Sequence, residues 1–343
     1  MLAQSEIDAQ TPDFWVVELA EIDRHLESFE QWEVREICRS AGGYSVWACV
    51  FGPKKEIERT ANFSAAYHSA YPEAFWGRDV EQQCLMYVAG VHGAEMEGPM
   101  AAVNFMHVIE NGRDLRGREW PRLQEAAGGM RLVVLPVLNP DGRARVEPRS
   151  LVGGTLDDVR YWGQGRWKSG ENIGYPDCKR HQPLPLAEVE FAGGYPNDDG
   201  YNLMHDCTPG DIRTNEVRAL MELALEEVPD CVVNSHSYQL SPGVIAYSTV
   251  LDGYAKRQRG LSAAIEGALE ERDLRPRDYF EQSGYNLVGA LHLACGALAV
   301  TFEGPHGVRE NPYTHEEILD CHLSSIEGTL TFGADRGFRP PRR

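Results

Sequence analysis

The chain has 343 residues, 42% of them hydrophobic, and a formal charge of −19. That length and apolar content support a substantial core and exclude a disordered chain. Such an acidic balance argues against nucleic acid or an anionic membrane as a partner recognised through the overall field.

The first residues, "MLAQSEIDAQTPDFWVVELAEID", are acidic and lack a continuous apolar stretch, so no signal peptide is expected. Within them, 13–28 carries apolar positions at helical spacing. "WEVREICRS" and "YSVWACVFG" predict two strands around the turn "AGG". "CLMYVAGV" predicts a short buried strand, and "GPMAAVNFMHVIENG" a helix with Pro99 near its first turn and Gly112 just past its end. "MRLVVLPVLNPDG" predicts another buried strand running into a turn.

Residues 143–199 differ, being rich in Gly, Pro and charge ("GQGRWKSGENIGYPDCKRHQPLPL", "GGYPNDDG"), and are expected to form a long loop-rich insertion in a single domain spanning 1–343. After them come a helix in "TNEVRALMELALEEV", a strand in "PDCVVNSHSY", helices in "YAKRQRGLSAAIEGALEERD" and "NLVGALHLAC", a strand in "ALAVTFEGPHG" and a closing helix in "THEEILDCHLSSIEGTLTFG". The short basic tail "RGFRPPRR" reads as a frayed terminus. Strands and helices alternate, which predicts an α/β fold with a largely parallel, twisted sheet and helices on both faces. No stretch approaches the ~18 apolar residues of a membrane span. The eight cysteines form no CxxC pair, and several lie in apolar runs, as expected of buried thiols in a reducing, cytoplasmic compartment.

The chemistry gathers at strand ends. His92 and Glu95, Asn139 to Asp141, His236 and Glu303 all lie just beyond the carboxyl ends of predicted apolar strands, where open α/β sheets form their ligand crevice. Taken alone, His92 and Glu95 read equally well as an ordinary helix N-terminus. Together with His236 they make a set of two histidines and one carboxylate, which suits a zinc ion with an open fourth position, one per chain. Glu303 is then the candidate for a second carboxylate that moves a proton between water and a leaving amine. Asn139-Pro-Asp-Gly is a natural turn without a direct catalytic role. His306, three residues past Glu303, is a candidate for the pocket rim, although a solvated loop histidine is the commoner case.

These motifs, "HGAE", "NPDG", "NSHSY" and "TFEGP" in this order, resemble the zinc carboxypeptidases, the metallocarboxypeptidase family that includes the pancreatic digestive enzymes. The resemblance spans roughly residues 30–330. It implies a mixed sheet of about eight strands, zinc ligands His92, Glu95 and His236, and Glu303 as general base. It also implies an arginine after "NPDG" that stabilises an oxyanion; Arg145 is the first choice and Arg149 the next, with Arg149 also a substrate contact. A tyrosine that closes over substrate is implied as well, Tyr279 in preference to Tyr285. The family's carboxylate clamp, a "DxNR" segment, corresponds here to "GYNLMHD", with Asn202 at the Asp position, Met204 at the Asn and His205 at the Arg. Histidine does not reproduce arginine's permanently charged fork, so the chain is a divergent member and Asn202 and His205 are its substrate-contact candidates.

The expected activity is zinc-dependent hydrolysis of an amide bond in a peptide or peptide-like substrate. Two alternatives stand beside it: an N-acyl amino acid deacylase of the aspartoacylase or succinylglutamate desuccinylase type, and a non-catalytic zinc- or peptide-binding module.

Overall fold

The computed structural model describes residues 11–77, 81–180, 182–238, 240–251 and 253–340. Its frame is an eight-stranded sheet in the order β1-β2-β4-β3-β7-β10-β8-β9. The strands are β1 (Glu33–Arg39), β2 (Ser45–Phe51), β3 (Cys84–Val88), β4 (Arg131–Leu135), β7 (Cys231–Tyr238), β8 (Gly243–Tyr247), β9 (Phe280–Gln282) and β10 (Leu298–Pro305). The centre, β4-β3-β7-β10, is parallel throughout. β1, β2 and β8 pair antiparallel outside it, and β9 lies parallel to β8. The α/β fold with a mixed, largely parallel sheet of eight strands is therefore as expected.

The central strands are buried along their length because helices cover both faces, which is why "CLMYV" and "RLVVL" read as continuous apolar runs without alternation. β7 and β10 show how the faces divide. Ser235 is aligned with Phe302 and Ser237 with Gly304, while His236 is aligned with Glu303. Ser235, Phe302 and Gly304 face helices Glu97–Asn111 and His315–Arg336: the Ser235 hydroxyl meets Nδ1 of His322 at 3.2 Å, and a Cβ added at Gly304 would run into the His322 ring. His236 and Glu303 face the other way, toward segment 200–206, where Asn234 of the same face donates to the Met204 sulfur at 3.3 Å, and toward helix Leu287–Cys295.

Charged residues cluster at the amino ends of the strands, away from the site. Asp230 accepts from the Cys84 amide at 2.7 Å and pairs with Lys55, and Arg131 pairs with Glu227 at 3.0 Å. The 143–199 region is more ordered than its composition suggests. It holds helix Leu156–Gln164, a two-stranded sheet of β5 (Arg166–Trp167) and β6 (Val189–Phe191), and a small core of Ile173, Cys178 and Leu184.

Three local expectations need correcting. The first helix spans only Leu19–Ser28. Phe14 to Val17 are four consecutive buried residues, which no single helical face can hide, and they run irregularly into the core. The strands β8 and β9 were not foreseen, since both are short pieces at the sheet edge. The basic tail is docked as far as it is described: Phe338 is fully buried and Arg339 pairs with Asp230. Residues 341–343 of that tail and 1–10 of the amino end lie outside the described residues.

Candidate metal centre

β3 ends at Val88, and the chain turns through 89–96 before entering helix Glu97–Asn111. The Glu95 amide donates to the His92 carbonyl at 3.1 Å, a tight turn that places both side chains together. The left-handed residue of this passage is Gly90, φ +61°. Gly93 is required for a different reason than turning: its amide donates to the Gly194 carbonyl at 2.7 Å, and a Cβ there would run into the backbone of Gly142 and Arg143.

His236, near the end of β7, arrives from the neighbouring strand. Its Nδ1 lies 2.7 Å from one Glu95 oxygen, and Nδ1 of His92 lies 2.8 Å from the other. The donor atoms of the three residues lie within 4.8 Å of one another. Two donors of a tetrahedral zinc sit roughly 3.4 Å apart, given Zn–N and Zn–O distances of about 2.0–2.1 Å. The two imidazole nitrogens and one carboxylate, all buried and convergent, therefore fit that ion. Burial resists charge on all three. For Glu95 the two imidazoles outweigh burial and hold the carboxyl below its ordinary range. For His236 burial is outweighed by Glu95 and the pKa rises, whereas for His92 burial prevails and it falls.

Around these donors stands a supporting shell of the kind that orients metal ligands. Asn202 does reach the site: its Oδ1 is 3.2 Å from Nε2 of His92, and its amide donates to the Cys178 carbonyl at 2.8 Å. Tyr195 stacks on the His92 ring, centroids 3.9 Å apart and planes within 13°. Asn139 caps helix Pro140–Arg145 and donates to the Tyr195 carbonyl at 3.0 Å. Asp141 accepts from Ser40 and from the amides of Gly42 and Asp198, each amide at 3.0 Å. The "NPDG" turn thus ties down the loop that carries Tyr195.

Glu303 sits beside His236 on the same sheet face, in register across β10 and β7. Burial raises its pKa above the ordinary carboxylate range; His236 lowers it, Glu95 adds to the rise, and Arg277 and His306 lower it. A cation on the three donors would lower it further. His306 is not at the rim. It is buried, with Nδ1 3.0 Å from Glu97.

The arginines expected from "NPDG" are committed elsewhere. Arg145 donates to the carbonyls of Gly193 and Pro196 and pairs with Asp198, bracing the Tyr195 loop. Arg149 forks onto Glu21 at 2.9 and 2.8 Å. Arg143 is buried and holds the turn itself, reaching the carbonyls of Gly93, Val146 and Pro148. None of the three is hydrogen-bonded to His92, Glu95, His236 or Glu303.

Tyr279 lies at the β9 edge, donating to Glu281 at 3.3 Å with Arg259 over its ring. Tyr285, its competitor, instead lines a cavity of about 490 Å3 with His205, Lys179, Arg180 and Cys207. In that cavity burial lowers the His205 pKa to about 4, helped by Lys179, so His205 is neutral at neutral pH. Sequence reasoning missed Tyr195, Lys179 and Arg277. None of the three belongs to a motif; only the fold brings them here.

The zinc carboxypeptidase family model matches residues 22–250, so Glu303 stands beyond the matched span. Solved structures with this fold include a metallo-carboxypeptidase from Burkholderia cenocepacia, 13% identical with a TM-score of 0.58, covering 91% of this chain and 67% of that one. Carboxypeptidase A from Helicoverpa armigera is 14% identical with a TM-score of 0.54, covering 98% and 77%. A metallo-carboxypeptidase from Pseudomonas aeruginosa is 13% identical with a TM-score of 0.53, covering 91% and 67%. Among curated proteins, none matches the chain by sequence. A family match over two-thirds of the chain, with both histidines and Glu95 inside it, leaves one conclusion: this chain belongs to the zinc carboxypeptidase family.

Proposed function

We propose that the protein is a zinc-dependent hydrolase that cleaves an amide bond in a peptide or peptide-like substrate. The observation that carries this reading is the convergence of His92, Glu95 and His236 with Glu303 alongside on one sheet face. A binding module has no use for a second carboxylate beside the metal donors, whereas a hydrolase needs one to take and return protons. Zinc in this site supplies Lewis acidity, polarising the scissile carbonyl and acidifying a water. Glu95 keeps both oxygens aimed at the histidines. Asn202 and Tyr195 fix the His92 ring. Glu303 takes the proton of the attacking water and passes it to the leaving nitrogen.

No helix among the described residues is long and apolar enough to cross a membrane. The eight free cysteines support a reducing compartment, the cytoplasm, as the place of action.

Elemental analysis of protein purified without added metal tests the site first. About one zinc per wild-type chain, lost in a folded His236→Ala variant, is the expected result. N-acylated dipeptides and N-acyl amino acids assayed side by side then separate the peptidase reading from a deacylase. Glu303→Gln is expected to keep its zinc and lose roughly 10²–10⁴-fold in kcat. Full zinc occupancy with turnover of neither substrate class would overturn the hydrolase reading.

A further inference from the structure

Glu303 has two neighbours across the sheet. On one side it is aligned with His236 of β7, on the other with Gly243 of β8. Residues directly opposed on adjacent strands share a face and lie about 5 Å apart. His236, Glu303 and the empty side-chain position of Gly243 therefore form a row leading away from the metal donors. Arg277 fills that empty position. Its amide donates to the Pro242 carbonyl at 2.9 Å, and a Cβ added at Gly243 would run into its Cγ and Nε.

The Arg277 guanidinium is unusual in its lack of partners. Nε and Nη2 are both closed off from solvent and have no hydrogen-bond acceptor among the described residues. These two N–H groups lie on the same edge of the guanidinium and point in parallel, the edge that grips a carboxylate with two hydrogen bonds. Arg143, Arg145 and Arg149 each already hold a carboxylate or a backbone carbonyl. At the position of the family's clamp stand Met204 and a neutral His205, neither of which supplies a positive charge.

We propose that Arg277 is the residue that receives a carboxylate of the substrate, carried on the leaving side of the bond that is cut. The placement follows from the row. The metal donors lie on one side of Glu303 and Arg277 on the other, and Glu303 delivers its proton to the leaving nitrogen. A group one strand beyond Glu303 therefore meets the residue that departs. This rests on the hydrolase reading for the direction of the substrate, but not for the existence of the anion site.

The test uses the zinc-loaded full chain and three substrates: N-benzoylglycyl-phenylalanine, its C-terminal amide, and N-benzoylglycyl-glutamate with the α-carboxyl amidated. Wild type is expected to favour a carboxylate-bearing substrate over the plain amide by at least about 100-fold in kcat/KM. The first and third substrates show whether an α-carboxylate or an acidic side chain is the source. Arg277→Ala is expected to collapse that preference toward unity at constant zinc content. Gly243→Ala, which displaces the guanidinium, should do the same, and Arg277→Lys should restore only part of it. Equal losses on all three substrates would overturn the proposal and mark Arg277 as a stabiliser of the oxyanion or of the fold. A preference that survives Arg277→Ala would also overturn it.

A binding measurement separates this proposal from the hydrolase reading. Free phenylalanine, glutamic acid α-amide and phenylalaninamide are titrated into metal-free wild type and Arg277→Ala by calorimetry. At least about tenfold tighter binding of either acid than of phenylalaninamide, abolished by the substitution, upholds the anion site even if no substrate is turned over. No difference between the two proteins, or no binding of either acid to wild type, overturns it.

Discussion

His322 makes a quantitative test of how the closing helix meets the sheet. Its ring is fully buried between Gly304, the Phe302 ring at 5.2 Å and the Ser235 hydroxyl, and its Nε2 has no hydrogen-bond partner among the described residues. Burial lowers its pKa from 6.5 to about 4; the nearby Glu97 opposes the shift and His306 reinforces it. The sign follows from the unfolded chain, where the imidazole titrates at about 6.5. Above that pH both states are neutral and His322 adds no pH dependence. As pH falls from about 6.5 toward 4, the unfolded chain takes up a proton that the folded one refuses, so stability falls. At about 1.4 kcal/mol per pKa unit, His322 costs about 2 kcal/mol by pH 5 and roughly 3 kcal/mol near pH 4.

Urea unfolding of metal-free wild type and His322→Asn, near neutrality and at about pH 5, measures this. The asparagine amide keeps a donor for Ser235 and does not titrate. At neutral pH the variant should be less stable by roughly 1–2 kcal/mol, the cost of the cavity beside Gly304. At about pH 5 that gap should close or reverse, since the contributions of other histidines cancel in the difference. A gap that stays the same at both pH values would refute the argument.

Three further outcomes follow from the site's supports. Gly93→Ala should lower stability by more than about 2 kcal/mol in urea, because its methyl meets the backbone of Gly142 and Arg143. Tyr195→Ala should weaken zinc binding about tenfold in a chelator competition, whereas Tyr195→Phe, which keeps the ring on His92, should stay close to wild type. Asp141→Ala should lose roughly 2–4 kcal/mol, since Ser40, Gly42 and Asp198 are left without their acceptor and the strand turn and the Tyr195 loop come apart from the helix.

The parts of the site that were legible in the sequence are those set by local chemistry. A histidine and a glutamate three apart after an apolar run, a histidine ending a second run and a glutamate ending a third pointed to the candidate donors and their neighbour. The parallel centre was legible too, because strands buried on both faces carry uninterrupted apolar residues. What stayed hidden depends on tertiary approach. Arg145 looked like the best oxyanion donor by its distance from "NPDG", but the loop at 193–198 surrounds it with acceptors. Arg277 precedes a three-residue edge strand with no periodicity of its own, and its importance comes from a glycine on another strand. Four buried residues in a row at 14–17 satisfied a helical pattern that a helix could not have buried.

The His236–Glu95 contact joins residues 141 positions apart, whereas His92 and Glu95 are three apart. An unfolded chain can therefore present a metal with one local pair of donors, but the third arrives only when β7 docks beside β3. Closing so long a loop is slow and costs entropy that the local pair cannot offset. Any affinity that depends on His236 thus belongs to the folded state alone and adds to its stability by mass action. Metal loading becomes a clock for the assembly of the central sheet: weak capture while only the turn exists, firm retention once two distant strands lie side by side.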